Sequence, residues 1–341
     1  MVPFHMTSRP RTGFASLPAT RNPERNTYRP GTCLRAVTSS RWSVGSTVLF
    51  ALMVLAWAGN YLFVRVGEAY TGPLWLATLR ASVGAAGVGA FLLVRSSSPA
   101  LSPADRRDAL LLGIPNTAIF LGLWFTAAPA IPPGETSVVV YTFPLWVALF
   151  SPSVLGSGLG RAHWGAVATG FTGVVLVSQP WATGGARLPI LPVVELLLAA
   201  LSWALATVLF QRRFPPSALP RANGYQLLGG AVVLLAASVV LGSVGTPSAA
   251  PALWVSVAWL GLFGTAFAYG VWFFLLGSTH ASALSAYAFL VPLTALALSV
   301  VLEGERLDVV QAGGVGCVLL GVYLVGRNPL SHPREQGSPR T

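Results

Sequence analysis

The sequence has very little charge for its length. Only 9% of its 341 residues are Asp, Glu, Lys or Arg, whereas 54% are hydrophobic. This is too little charge to cover the surface of a water-soluble protein of this size, which excludes a soluble globular fold. All 21 basic residues are arginine and none is lysine, which together with abundant Ala, Gly and Pro is typical of a GC-rich genome and favours a bacterial source. The composition predicts an integral membrane protein.

Cysteine and histidine are also scarce. Two cysteines, one in the N-terminal tail and one in an apolar run, imply no disulfide framework. No two of the four histidines stand at i, i+4, and no acidic or cysteine cluster surrounds them, so we expect no metal site. The glycine-rich stretch GSGLG lacks the lysine and the strand of a phosphate-binding loop. We therefore predict no cofactor and no ATP drive within this chain.

What the sequence does contain is a series of long apolar runs. A bilayer core about 30 Å thick requires roughly 20 apolar helical residues to cross it, and Pro, Gly or Ser separate many of the runs here. We predict an all-α integral membrane protein with ten transmembrane helices, preceded by a disordered basic tail at 1–43 and followed by a second tail at 328–341. The predicted spans are 44–66, 73–94, 108–128, 135–155, 162–177, 191–210, 222–241, 253–276, 283–302 and 309–325.

The arginines predict the orientation of these spans. With ten spans and a cytoplasmic N-terminus, both tails and the even-numbered loops lie inside, and these hold all but four of the arginines. Arg65, Arg187 and Arg306 fall outside, and Arg80 lies within the second span. This bias follows the positive-inside rule and places both termini in the cytoplasm. The net charge of +11 is then a topology signal, with contact to anionic lipid, and we expect no nucleic-acid partner.

The two halves of the chain repeat each other. Residues 112–145 align without a gap to residues 260–293, and the identical positions include the pairs Trp124 and Trp272, and Pro144 and Pro292. The repeat extends to 44–180 and 190–327, with five predicted spans in each half. Because five is odd, the second half must enter the membrane upside down relative to the first. Inverted repeats of this kind give two nearly equal conformations open to opposite faces.

The repeated pattern resembles the EamA family of the drug/metabolite transporter superfamily. Each half opens with a tryptophan-containing helix and continues to Arg80 or Gln226. The second half ends in VPLTALALSVVLEGERLDVVQAGGVGCVLLGVYLV, similar to the family's proline, Gly-Glu pair and glycine-rich last helix; the first half has Gly156-Ser157 where the family has Gly-Glu. The resemblance implies a secondary transporter that exports amino acids or other small metabolites.

Arg80 is the one charge well inside a predicted span, about seven residues or roughly 10 Å from its outer end. Arginine in hydrocarbon is costly, so the side chain is expected to face the bundle interior or a wet cavity. It would then be a counter-ion for an anionic substrate group such as a carboxylate. The alternative is that it extends outward to the interface or pairs with a neighbouring helix.

Two glutamates are candidates for proton coupling. Glu135 and Glu195 each follow a proline near the start of a span, where a titratable group could be exposed alternately to each side. The alternative is helix-end stabilisation, because a carboxylate in the first turn interacts favourably with the helix dipole.

Aromatic and amide side chains predict a cavity near the pseudo-symmetry axis. Aromatic walls with a few polar groups suit an amphipathic metabolite, although such residues also serve as interfacial belts or core. Pro144 and Pro292 are candidates for a hinge or gate, or for a static kink. The candidate cavity residues, with Arg80, are Trp57, Asn60, Tyr61, Asn116, Trp124, Tyr141, Trp203, Gln226, Tyr269, Trp272 and Tyr287.

Small residues at intervals of four mark the last helix of each half. Gly165, Thr169 and Gly173 match Gly313, Cys317 and Gly321, and this spacing predicts close helix packing.

The sequence therefore predicts a secondary transporter that exports amino acids, related compounds or drugs across the cytoplasmic membrane by alternating access, driven by protons. Its partners would be a small-molecule substrate and the lipid bilayer, with a homodimer left open. An intramembrane enzyme would require a catalytic arrangement of mid-membrane His, Asp, Cys or Ser, which the sequence lacks. A receptor or assembly protein on the same fold stays the alternative, because fold does not determine function.

Overall fold

The computed structural model describes residues 42–95, 98–131, 133–156, 159–179, 181, 189–241, 247–303 and 308–327. All regular secondary structure in these residues is helical. The predicted tails, apart from residues 42 and 43, and the Gly-Glu pair at 304–305 lie outside the described residues.

The first repeat contains seven α-helices. α1, α2 and α7 are unbroken, whereas the chain between α2 and α7 forms two rods that each change geometry part of the way along. The elements are α1 (Val44–Glu68), α2 (Pro73–Arg95), α3 (Pro103–Gly113), a first π segment (Ile114–Ile119), α4 (Phe120–Ala127), a 3₁₀ turn (Ala128–Ala130), α5 (Pro133–Val140), α6 (Phe143–Leu155) and α7 (Arg161–Ser178).

The second repeat has the same order of elements. They are α8 (Ile190–Arg213), α9 (Leu219–Val240), α10 (Pro251–Ala258), a second π segment (Trp259–Phe267), α11 (Ala268–Leu276), α12 (Ala281–Tyr287), α13 (Leu290–Glu303) and α14 (Val309–Arg327). The π segments and the breaks between α5 and α6 and between α12 and α13 fall at matching places in the repeat. Such interruptions leave backbone groups available for other contacts, and in membrane transporters they mark binding sites.

Eight continuous helical stretches among the described residues are long and apolar enough to cross a membrane. Some of them join several elements; Pro103–Ala130, for example, runs from α3 through the 3₁₀ turn. They account for eight of the ten predicted spans. The two others, 162–177 and 309–325, fall on α7 and α14, which are helical but less apolar or shorter. α7 carries Arg161, His163 and several Thr and Gly residues, and α14 is rich in glycine. The count of ten therefore stays a prediction.

α7 and α14 pack closely against each other through glycine. A Cβ on Gly173 would overlap the α14 backbone at Val318, and one on Gly321 would overlap α7 at Gly170. Here the sequence prediction was partly wrong, because Gly165 and Gly313 have open space around them and the close contact falls on other glycines, including Gly170 and Gly314. The reason is helix phase: a strict interval of four drifts around the helix, so one stripe cannot stay on the contact face.

The two repeats are joined by reciprocal contacts near the middle of the bundle. α2 crosses the second π segment where Gly84 lies against Thr265, and α9 crosses the first π segment where Gly230 lies against Thr117. Gly84 and Gly230 are equivalent in the repeat, as are the two threonines. Both crossings need glycine because a side chain there would overlap the facing helix. These crossings position Arg80 and Gln226, each four residues before its glycine.

Candidate functional site

A narrow cavity lies between helices of both repeats. Its walls come from α1, α2, α4, the break between α5 and α6, α8 and α11. The lining residues are Trp57, Asn60, Tyr61, Arg80, Phe120, Trp124, Val140, Tyr141, Phe143, Trp203 and Tyr269.

Aromatic rings make most of the wall and contact one another in a continuous chain. Trp203 lies with its ring centroid 4.9 Å from that of Phe120, 5.0 Å from Tyr269 and 6.1 Å from Trp57. Most of these pairs are tilted or edge-to-face, the arrangements that aromatic quadrupoles favour. The wall can therefore hold an apolar or aromatic group.

Arg80 supplies the positive charge of the cavity. Its side chain is 1% exposed. Nε donates to Thr265 Oγ1 at 2.9 Å, and Nη2 donates to the Gly264 carbonyl at 3.2 Å. The guanidinium carbon lies 5.4 Å from the centroid of the Trp124 ring, within cation–π range. The second π segment thus fixes one side of the guanidinium and leaves Nη1 buried without a hydrogen-bond partner.

Asn60 and Trp57 complete the polar side of the cavity. With its amide oxygen turned toward α2, Asn60 accepts from Arg80 Nη2 at 3.3 Å and donates to the Ala56 carbonyl at 3.2 Å. Trp57 Nε1 donates to the Gly264 carbonyl at 3.2 Å, so this oxygen accepts from both Trp57 and Arg80. All of these acceptors are neutral.

No carboxylate among the described side chains lies within 4.0 Å of the Arg80 guanidinium; the described ion pairs all belong to Arg107, Arg213, Asp105 and Asp108. A buried charge without a counter-charge is costly, so the site is suited to an anion. Of the two alternatives for Arg80, extension to the membrane interface does not occur in this structure. Contact with a neighbouring helix does occur, and Arg80 also lines the cavity.

Eight of the twelve candidate cavity residues line the cavity, and four do not. Trp272 is fully buried behind the wall, with its ring centroid 5.5 Å from that of Trp57. Tyr287 lies elsewhere, beside Trp42 at 5.1 Å. Gln226 and Asn116 are buried between α9, α8 and the first π segment.

Gln226 occupies the position equivalent to Arg80 but has a different environment. Its Oε1 accepts from Thr117 Oγ1 at 2.7 Å, and its Nε2 donates to Asn223 Oδ1 at 2.9 Å. Both atoms of the Gln226 amide are therefore satisfied within the protein, which indicates a packing role. Asn116 differs, since neither its Oδ1 nor its Nδ2 has a partner.

Three lining residues were absent from the sequence-based set: Phe120, Val140 and Phe143. Phe120 stands four residues before Trp124 and therefore on the same helix face, a signal that was present in the sequence. Val140 and Phe143 flank Tyr141 at the helix break, and nothing in the sequence alone distinguishes them from core residues.

The proposed hinge residues lie at element ends, whereas Glu195 lies beyond the first turn of α8, so the helix-end alternative is wrong for it. Pro144 is in the first turn of α6 and Pro292 in the first turn of α13, each just after a helix break, where a missing backbone N–H removes no helical hydrogen bond. Glu195 lies in α8 and is half-buried, with Oε2 accepting from Thr126 Oγ1 at 3.4 Å. The side chain of Glu135 lies outside the described residues.

Comparison with known proteins gives the same architecture. The chain is 29% identical to the uncharacterized inner membrane transporter YedA of Escherichia coli, covering 81% of this chain and 89% of that protein. It is 26% identical to the uncharacterized transporter YvbV of Bacillus subtilis, covering 82% and 91%. A solved crystal structure matches with a TM-score of 0.69 at 21% identity, covering 82% of this chain and 98% of that one, which shows the fold alone.

The model of the EamA-like transporter family matches twice, at residues 45–179 and 191–327. These limits agree with the two repeats seen in the sequence and in the order of helices. Two family domains fill almost all of the described chain. This protein is a membrane protein that belongs to the EamA-like transporter family.

Proposed function

We propose that this protein is a secondary transporter of the bacterial inner membrane that exports small metabolites carrying an anionic group. The observation that carries the proposal is Arg80, a buried guanidinium in a cavity between the two repeats with Nη1 free of any protein partner. Amino acids, related compounds and drugs with a carboxylate all fit this description.

The two sides of the cavity would bind different parts of such a substrate. Arginine binds carboxylates strongly because its planar fork matches their geometry and the hydrogen bonds are charge-assisted. Thr265 and Gly264 fix the orientation of the Arg80 guanidinium, so this side chain loses little conformational entropy when a substrate binds. The rings of Trp203, Tyr269 and Phe120 would pack against the apolar part of the substrate.

Movement of the two repeats against each other would expose the cavity to each side in turn. The cavity has walls from both repeats, and α6 and α13 begin at breaks beside it or at the matching place. Alternating access in inverted-repeat transporters involves rocking about a central site. Pro144 and Pro292 would then be hinge residues, because each lies at the joint between two short helices.

Proton exchange is the proposed driving force, with Glu195 and Glu135 as the candidate coupling groups. Glu195 is half-buried against Thr126 in α4, a helix that also supplies cavity residues. A carboxylate that binds a proton on one side and releases it on the other would couple the gradient to substrate movement.

The test is a flux measurement. Overexpression against a panel of amino acids, nucleosides and acidic drugs would identify a substrate by resistance or efflux. The same compound would then be followed in vesicles containing the purified protein with an imposed pH gradient. We expect flux of an anionic compound that collapses when the gradient is dissipated. A folded protein that moves none of the compounds would instead favour the receptor or assembly role.

Glu195→Gln tests the coupling. We expect the variant to retain substrate exchange at equal pH on both sides and to lose gradient-driven accumulation, because exchange needs no net proton movement. Glu303→Gln, at the end of α13, is the matched control and should accumulate substrate normally. Unchanged gradient-driven accumulation in Glu195→Gln would remove Glu195 from the coupling step.

A further inference from the structure

A second concave space lies on the outside of the bundle, in a groove between α2 and α9. It is broad and open to the surroundings of the bundle. It shares no lining residue with the cavity around Arg80. Ser82, Ala86 and Gly89 line the groove from α2 and point away from the helix face that carries Arg80.

The groove has a floor of small residues and walls of large apolar ones. Ala85, Gly89 and Gly224 contribute to its lining, and a Cβ on Gly89 would meet nothing within 4 Å. Leu93 and Val232 stand beside it with 90% and 59% of their side chains exposed. A flexible hydrocarbon chain can lie in an open apolar groove of this kind.

One end of the groove carries a positive charge. Arg221, in the first turn of α9, donates from Nη2 to the Ser98 carbonyl at 3.0 Å, which fixes the side chain beside the end of α2. Its Nε is buried and has no hydrogen-bond partner, and no described carboxylate lies within 4.0 Å of it. Arg221 is therefore a guanidinium held in place with donors left for an anion.

The same end of the molecule is basic. α3 begins and α8 ends there, where Arg213 binds Asp105 at 2.5 Å and Asp108 at 2.8 Å, and Arg106 and Arg107 lie nearby in sequence. The distribution of arginines predicts that this end is cytoplasmic, and the cytoplasmic leaflet is the one that carries anionic lipid.

We propose that the groove between α2 and α9 binds one anionic phospholipid of the cytoplasmic leaflet. An acyl chain lies along the apolar slot over Gly89, and the phosphate accepts hydrogen bonds from Arg221. A helix face that only contacts bulk lipid needs neither a positioned arginine nor a concave surface of small residues. Their presence together in this groove therefore favours a specific lipid site. This site is separate from the proposed transport cavity and does not depend on the identity of the substrate.

The test is native mass spectrometry of the purified full chain with phosphatidylglycerol and phosphatidylcholine of identical acyl chains. We expect one phosphatidylglycerol to be retained preferentially by the wild-type protein. Arg221→Gln should reduce that preference about fivefold, the effect of one basic residue near an anionic surface. Arg107→Gln removes an exposed arginine at the same end outside the groove and should leave the preference unchanged.

Gly89→Leu tests the slot independently of the charge. The open space at Gly89 accommodates the new side chain, which fills the floor, so we expect retention of both lipids to fall. Gly316→Leu adds the same side chain at another open glycine, on α14, and should bind lipid as the wild type does.

Three outcomes overturn the proposal. One is equal retention of the two lipids, or a preference that persists in Arg221→Gln. Another is displacement of the lipid by glycerol phosphate alone, which would show a site for free anions. The last is a dimer that dissociates in Gly89→Leu, which would assign the groove to a second copy of the chain.

Discussion

Arg80 is a buried charge with no charged partner among the described residues. Three neutral oxygens, on Thr265, Gly264 and Asn60, accept its hydrogen bonds without neutralising its charge. Removing a charge from water costs several kcal/mol even after relaxation, and hydrogen bonds to neutral groups offset only part of this. An anionic substrate would supply the missing compensation, so binding energy is available at this position.

Replacement of Arg80 separates binding from folding. In the other repeat, the equivalent residue Gln226 forms a hydrogen bond with Thr117 through its amide. The amide in Arg80→Gln can bond Thr265 in the same way, so the variant should insert and fold with a Tm within a few degrees of wild type. We expect substrate flux to fall by at least about tenfold, through a higher KM, because the counter-ion is lost. Flux kinetics identical to wild type would remove Arg80 from substrate binding.

Gln226 provides the matched contrast. Gln226→Leu leaves Thr117 and Asn223 without their buried partners, at a cost of about 1–3 kcal/mol. We expect a lower thermal unfolding temperature in detergent and an unchanged KM among the molecules that remain folded. A raised KM with normal stability would show that Gln226 binds substrate after all.

At the scale of single elements, the crossings between repeats depend on glycine. A methyl group on Gly230 would overlap Thr117 and come within 2.8 Å of the Gly113 carbonyl oxygen. Neither contact is the end of a flexible side chain, so the helices would have to separate. The crossing therefore fixes the distance between α9 and the first π segment.

Gly230→Ala should lower stability by about 1–3 kcal/mol, the usual effect of overpacking. The measurement is the thermal unfolding midpoint of the purified protein. Gly316→Ala, where the new methyl group meets open space, is the control and should be neutral or slightly stabilising because alanine favours helix. Equal midpoints for the two variants would mean that the crossing is looser than the structure shows.

The helix break before α6 gives a second prediction at this scale. Pro144→Ala restores a backbone N–H at the joint and favours continuation of α5 into α6. If the joint is a hinge, we expect a slower transport rate with little change in KM. Pro152→Ala, inside α6 and away from the joint, should transport at close to the wild-type rate. A static kink predicts equal rates for both variants.

At the scale of the whole molecule, contacts between connecting segments show which of these segments lie at the same end of the bundle. Ser98 and Arg221 meet at one end, and the Ser248 amide donates to the Tyr70 carbonyl at the other at 3.3 Å. The arginine distribution predicts that the first end is cytoplasmic. The family and the fold do not by themselves give this orientation.

Single cysteines test the orientation. In a background with Cys33 and Cys317 replaced by serine, we expect Ser98→Cys to react with a membrane-impermeant maleimide only from the cytoplasmic side, and Ser248→Cys only from outside. Both variants carry their cysteine in a connecting segment, so each controls for the reactivity of the other. The reverse labelling pattern would overturn the predicted topology.

The sequence by itself determined the membrane class, the two repeats and the family. These depend on composition and on apolar periodicity, which the bilayer requires of any helix that crosses it. It also identified Arg80, because a charge within an apolar run has few tolerable environments. The pairing of Trp57 with Trp203 across the repeat suggested a shared cavity wall, and both line it; the same pairing of Trp124 with Trp272 was only half right, because Trp272 lies behind the wall.

Only the tertiary structure decided which aromatic residues share a wall. Trp203 and Trp272 look alike in sequence, yet one lines the cavity and the other lies behind it, since helix rotation depends on packing with neighbours. The same holds for Gln226, whose position matches that of Arg80 but whose partners are Thr117 and Asn223. The groove at Arg221 was also beyond the sequence, because a concave surface arises only when two separate helices are placed side by side.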